Sequence, residues 1–209
     1  QRPFSEVVDL GSGDGRIGRT VWEEVNTGYH HRDKSGLVML DIQPPPPGAV
    51  DSAPSRTRWM VQDYLDTPVT DLVSLAYPVL FVSNPPYSAA DEFVMRTVDA
   101  MKKFPGVPHV AIFLLRMNWL GSEKRAAWVD ANPNDRQTVL APRPSFCVRE
   151  TVLEDGTVRK SSNDSCEYAW VWWENIRSPG QFTSVRVWPL SRSERKTWRA
   201  EQRKLQSGR

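Results

Sequence analysis

The sequence predicts an α/β protein with a doubly wound, mostly parallel sheet, and three observations carry that prediction. Short apolar runs alternate with helically spaced segments over residues 1–130. The first run ends in a glycine-rich turn that opens a helix. Later β-like runs follow one another without an intervening helix, as an antiparallel hairpin at one edge of the sheet requires.

The elements follow in order. Residues 6–10 read as a buried strand, and 16–26 as a helix with Ile17, Thr20, Val21 and Val25 on one face. Residues 37–40 are a second strand, closed by Asp41. The prolines at 44–47 exclude both helix interior and central strand, so this stretch is a rigid loop. Residues 58–61 and 79–82 give two further strands. Residues 89–103 have helical spacing at Phe93, Val94, Thr97, Val98 and Met101. A fifth strand at 110–115 leads to a helical stretch over 122–130. Residues 136–140, 144–152 and 168–173 look β-like. The tryptophans Trp22, Trp128, Trp170, Trp172 and Trp173 fall on these elements as packing residues.

Composition narrows the function classes. The 209 residues are 39% hydrophobic and 25% charged, which suits a soluble globular domain with a sizeable core. No run approaches the roughly 18 apolar residues of a membrane span. No secretory signal pattern opens the chain at Gln1, and the absence of an initiator Met suggests a trimmed or processed start. Two cysteines, Cys147 and Cys166, cannot form a disulfide framework or a four-thiolate zinc site. His30, His31 and His109 have no metal-ligand spacing. The expectation is a reduced, cytoplasmic protein without a metal centre. Net charge is +2, unevenly placed: residues 191–209 sum to +5 and leave −3 for the rest. The organisation expected is one domain over 1–190 and a basic tail or helix over 191–209, which suits contact with phosphate backbones.

The first turn is Asp9-Leu10-Gly11-Ser12-Gly13-Asp14-Gly15. Its glycines permit a sharp turn and close approach of a ligand. Their spacing departs from the dinucleotide fingerprint and has the Gly-x-Gly-x-Gly form seen at the first strand of S-adenosylmethionine (SAM) enzymes. Asp41, ending the second strand, can take both hydroxyls of a ribose. Asp63, after the third strand, can accept an adenine amine. Successive strand ends thus place three polar positions at one crevice.

Ser83-Asn84-Pro85-Pro86-Tyr87 follows the fourth strand. The paired prolines fix the backbone, so a backbone carbonyl and the Asn84 side-chain oxygen can converge on one amine. Tyr87 offers a face for a flat ring. This pattern suits an NH₂ on a planar group, held by two acceptors with its lone pair toward a methyl donor.

With these motifs the chain resembles the SAM-dependent N6-adenine DNA methyltransferases, the amino-methyltransferases with an Asn-Pro-Pro-Tyr motif. Within that resemblance Asp9 and Gly11 to Gly15 match the SAM loop, Asp41 the ribose acid, Ile42 the residue beside the cofactor adenine, and Asp63-Tyr64 the acidic-aromatic pair at that adenine. Asn84, Pro85, Pro86 and Tyr87 match the catalytic motif. The chain is similar, more closely, to small phage-type methyltransferases of unassigned substrate, through Leu114-Leu-Arg-Met-Asn-Trp-Leu-Gly-Ser-Glu-Lys-Arg125, Arg143-Pro-Ser-Phe146 and Glu167-Tyr-Ala-Trp170. The resemblance spans residues 5–175. It implies a seven-stranded Rossmann-like class I methyltransferase sheet with an antiparallel edge hairpin, SAM as cofactor, and nucleic acid, DNA before RNA, as partner. It departs from the family in the short stretch ahead of the first strand, where Phe4 stands as the remnant of a cofactor-contacting segment, and in having no large target-recognition domain. Loops 28–35, 116–125 and 153–166 are the candidates for sequence specificity.

The implied reaction is direct in-line methyl transfer that needs no covalent intermediate and no metal. On duplex DNA the target base must leave the stack and lie on Tyr87. Phe146 is a candidate for the opposite face of that base, or a core aromatic. Arg116 and Asn118 are candidates for contact with substrate or phosphate, as are Lys124 and Arg125, which equally suit a solvated helix start. Two other readings stay open. The same motif serves enzymes that methylate glutamine side chains or RNA bases, and the fold can also act as a catalytically silent nucleic-acid-binding subunit.

Overall fold

A computed structural model describes residues 4–27, 35–140, 148–152, 158–162, 166–176 and 185–187, with 148–152, 158–162 and 185–187 described as backbone. The first strand, β1 (Glu6–Leu10), is buried from Val7 to Leu10. It pairs in parallel with β2 (Gly36–Asp41) on one side and β4 (Val79–Ser83) on the other. β3 (Thr57–Val61) extends the sheet beyond β2, and β5 (Val110–Arg116) extends it beyond β4, both in parallel. The chain therefore reverses its direction of growth at β1, which opens a crevice at the carboxyl ends of β1, β2 and β4.

Beyond β5 the register turns antiparallel. β9 (Tyr168–Glu174) lies between β5 and β6 (Arg136–Val139), antiparallel to both. The order β3-β2-β1-β4-β5-β9-β6 is the expected sheet with its antiparallel edge pair. A short strand not foreseen from sequence, β10 (Val185–Val187), adds an eighth, parallel to β6. Of the late β-like run at 144–152, only residues 148–152 are described, and they do not join this sheet. They form β7 (Val148–Val152), which pairs with β8 (Val158–Ser162) as a separate two-stranded sheet. β8 falls within 153–166, which the sequence predicts as a loop.

Helices cover both faces, so the central strands are apolar throughout rather than alternating. α1 (Arg16–Val25) lays Ile17, Val21, Trp22 and Val25 over Val7, Leu37, Met39 and Val82. On the opposite face α3 (Ala90–Lys102) buries Phe93, Val94, Val98 and Met101 against Val8, Leu10, Phe81 and Phe113. A one-turn helix, α2 (Val69–Leu72), seats Val69 and Leu72 in the same cluster. Each such side chain contributes about 1.5–3 kcal/mol when fully buried, so these two layers hold the crevice open from beneath.

The predicted helix over 122–130 is broken. A 3-10 turn spans Glu123–Arg125, and α4 (Ala126–Ala131) follows. Arg125 reaches back to the Trp119 carbonyl through Nε at 2.9 Å, which holds that first turn tight. Trp119, Trp128 and Trp173 pack ring against ring beneath it. Phe4 is also corrected. It packs beneath the sheet with Trp22 and Val7, at the end of β1 remote from the crevice, and its carbonyl accepts from Ser35 Oγ. The tail at 191–209, the loops at 28–34 and 163–165, Cys147, His30 and His31 lie outside the described residues. None of the described helices is long and apolar enough to cross a membrane.

Candidate active site

The glycine turn leaves β1 through residues whose backbone only glycine adopts easily. Gly11, Gly13 and Gly15 have φ of 69°, 54° and 74°. At Gly15 a side chain would also collide with the Met39 sulfur, 2.7 Å from an ideal Cβ. The Leu40 carbonyl accepts the amides of both Gly11 and Ser12, and Asp41 Oδ2 accepts the Gly13 amide at 2.8 Å. The other Asp41 oxygen accepts from Gln43 N at 2.9 Å. The loop after β1 and the end of β2 therefore form one hydrogen-bonded rim.

Asp9 sits under this rim. It is 1% exposed, and its Oδ2 accepts the Gly18 amide at 2.8 Å. Gly18 is required there, because a Cβ would come within 2.8 Å of Asp9 Cβ. Burial pushes the Asp9 carboxyl up to about 7; the Gly18 amide opposes this, and the Asp41 and Asp14 carboxylates add to it. Asp9 thus supports the loop from inside the fold. Asp14 turns outward and pairs with Arg16. Ser12 is buried with its Oγ lacking a hydrogen-bond partner.

A cleft of ≈ 390 Å³ runs from this rim to the end of β4. Gly11, Asp41, Ile42, Asp63, Tyr64, Asn84 and Pro86 all line it, so it gathers candidates from four strand ends. Ile42 is 62% exposed, an apolar platform on an otherwise polar lip. Asp63 accepts the Leu65 amide at 2.8 Å through one oxygen. Tyr64 forms the floor: it is buried, its phenol shares a hydrogen bond of 2.7 Å with Thr97, and its ring packs on Phe93. Burial pushes its phenol up to about 12, against the Thr97 hydrogen bond and the Arg96 charge. The sequence reading missed Phe93 as a cleft residue. Its ring lies beside Gly11, 3.6 Å from an ideal Cβ there. The available signal was its place in the first two turns of the helix that follows Asn84.

Ser83 ties the two motifs together by donating its hydroxyl to the Leu10 carbonyl at the end of β1. Next to it, Asn84 Oδ1 is buried without a hydrogen-bond partner. Such an acceptor costs about 1–3 kcal/mol, and exceptions of this kind mark strain or function.

Pro85 and Tyr87 face a second, smaller cavity of ≈ 160 Å³, which Arg116, Asn118, Trp119 and Arg125 also line. Tyr87 is 39% exposed. Its phenol shares a 2.7 Å hydrogen bond with that of Tyr168, a buried residue at the start of β9. The Arg116 guanidinium lies over the Tyr87 ring at 3.9 Å from its centroid. One face of the expected base platform is thus already covered. The segment from Met117 to Arg125 is clamped to α3 by Asp91, which accepts from Trp119 Nε1 at 2.9 Å and from Arg125 Nη1 at 3.0 Å. Phe146 lies outside the described residues. Among the described residues no three His, Cys, Asp or Glu side chains gather as a metal site. His109 is buried at the far end of β5, where burial lowers its pKa and its Nδ1 accepts the Val79 amide.

No protein-family model and no curated protein matches the chain. Solved structures do. The chain is similar to a Listeria monocytogenes protein described as a class I SAM-dependent methyltransferase, with a TM-score of 0.57, 12% identity and 94% of this chain covered. It spans 63% of that protein's length. It is also similar to a Lactococcus lactis protein described as a hemolysin, with a TM-score of 0.51, 8% identity, and 87% and 83% of the two chains covered. A third is the delta-N METTL16 methyltransferase domain, with a TM-score of 0.50, 9% identity, and 83% and 73% covered. At these identities the likeness is one of fold, and the fold is the Rossmann-like class I methyltransferase fold.

Proposed function

We propose that this protein is a SAM-dependent methyltransferase acting on an exocyclic amine, with adenine N6 in DNA as the favoured acceptor. The observation that carries it is the buried, partnerless Oδ1 of Asn84, a residue that lines the same cleft as Asp41, Ile42 and Asp63.

The residues present fit the cofactor. Left-handed glycines leave room for close approach, the Asp41 carboxylate stands at the rim for ribose hydroxyls, and the exposed Ile42 offers a face for the adenine. Asp63, on the cleft wall, would accept the adenine amine. When bound, SAM supplies an electrophilic methyl group. Asn84 Oδ1 accepts one hydrogen of the target amine, and a backbone carbonyl of the same turn accepts the other, which turns the nitrogen lone pair toward the cleft. The amine gains positive charge as the bond forms, and these fixed oxygen dipoles stabilise it without reorganising. Holding the amine in line converts an encounter into a positioned reaction. The face of Tyr87 opposite Arg116 receives the ring, and base-aromatic stacking of about 1–3 kcal/mol offsets part of the cost of leaving a duplex.

The test is methyl transfer from labelled SAM to duplex DNA, single-stranded DNA, total RNA and cell-extract protein, followed by nucleoside and amino-acid analysis. N6-methyladenine in DNA is the expected product. Label confined to RNA or to glutamine would retain the chemistry and replace the acceptor. SAM binding without label in any pool would leave the silent-subunit reading.

A further inference from the structure

Arg116 ends β5 directly opposite Tyr168 in the β5–β9 register. Two aromatic residues hold its guanidinium. It stacks on Tyr87 at 3.9 Å and hydrogen-bonds to Tyr168, whose phenol also anchors Tyr87. Its Nε is buried without a partner, and no carboxylate pairs with it among the described residues. Its basic neighbours differ: Arg125 and Lys124 both pair with Asp91. Among the described residues Arg116 is therefore a positioned cation with no carboxylate paired to it, on the wall of the cavity that Pro85 and Tyr87 share.

We propose that Arg116 is the anion contact of this site, taking a backbone phosphate beside the target nucleotide and thereby selecting nucleic acid over protein. The inference deepens the amine-methyltransferase reading and rests on it. A guanidinium stacks through its flat face while its edge keeps N–H donors in the fork that matches phosphate oxygens. Stacking on Tyr87 and bonding to Tyr168 fix that fork in advance, so contact with a phosphate costs little further ordering. The same arrangement ties phosphate position to the ring that would carry the base. Phosphate contacts set register in this way without reading sequence. A glutamine amide in a protein brings no anion for this cation to meet.

The experiment compares the full-length wild type with Arg116→Met, which keeps length and packing, and Arg116→Lys, which keeps charge. Binding of duplex DNA, single-stranded DNA and single-stranded RNA of one sequence is measured over a salt series, and SAM affinity on the same preparations checks folding. For Arg116→Met the slope of log K against log salt falls by about 0.9 on duplex or 0.7 on single strands, and Arg116→Lys retains it. The substrate on which the drop appears separates DNA from RNA. An unchanged slope in Arg116→Met, with nucleic acid still methylated by the wild type, overturns the phosphate contact and leaves the transferase reading standing. A wild type that binds no oligonucleotide and labels only protein overturns the proposal outright. A lost slope with no methylation of any substrate keeps the phosphate contact and removes the transferase reading.

Discussion

The Asp41 carboxylate accepts the Gly13 amide hydrogen at 2.8 Å, so the end of the second strand holds the loop that follows the first. One side chain thus both shapes the glycine loop and stands at the rim of the cleft. Asp41→Ala removes charge-assisted hydrogen bonds of about 1.5–3 kcal/mol each. SAM affinity measured by calorimetry should fall at least about tenfold, which corresponds to 1.4 kcal/mol.

Gly18 and Asp9 are a tight pair. Gly18→Ala places a methyl 2.8 Å from Asp9 Cβ and Oδ2, both in a buried layer with no room to shift. Overpacking of this kind costs about 1–3 kcal/mol, and a drop in melting temperature should report it. An unchanged melting temperature would mean that α1 moves freely on β1.

Asp9 also sets a pH dependence. Its carboxyl, raised to about 7 by burial, binds a proton in the folded state that the unfolded chain, at an ordinary value near 3.8, does not. This contribution is therefore present at low pH and lost as pH rises through about 7. Between these values it favours folding by at most about 1.4 kcal/mol per unit fall in pH. The difference in unfolding free energy between wild type and Asp9→Asn, followed by denaturant titration from acid to neutral pH, should narrow as pH falls if the two side chains become alike in charge. A constant difference contradicts the raised value.

Tyr168 bears on turnover through Tyr87. Tyr168→Phe keeps the buried ring and deletes the phenol bond that anchors Tyr87. A hydrogen bond of about 0.5–1.5 kcal/mol predicts a roughly two- to twelvefold loss in kcat/KM, with SAM affinity unchanged. A loss of SAM affinity instead would make the residue structural.

Much of this was legible in the sequence, for identifiable reasons. Strand runs at Val7-Val8, Leu37 to Leu40 and Val79 to Val82 are apolar because both sheet faces are covered, and the polar residues Asp41 and Asn84 stand where the second and third of these strands give way to loops. That coincidence marked Asp41 and Asn84. The linkers between elements were not legible. Asp91 is an ordinary first-turn acid by spacing, and only the fold brings Trp119 and Arg125 to it. Tyr168 reads as strand packing, yet lies across from Arg116 by β5–β9 pairing, which no local pattern encodes. Phe4 was misplaced because proximity to the glycine loop in sequence is distance in a strand: β1 carries the chain from one end of the sheet to the other.

The central claim is that Asn84 Oδ1 holds the acceptor amine. Its most direct test is single-turnover methyl transfer by Asn84→Ala on the best acceptor found for the wild type, with SAM affinity measured on the same protein. The transfer rate should fall at least about 10²-fold, the cost of removing one fixed dipole at a developing charge, with SAM affinity nearly unchanged. Transfer at the wild-type rate would contradict that claim.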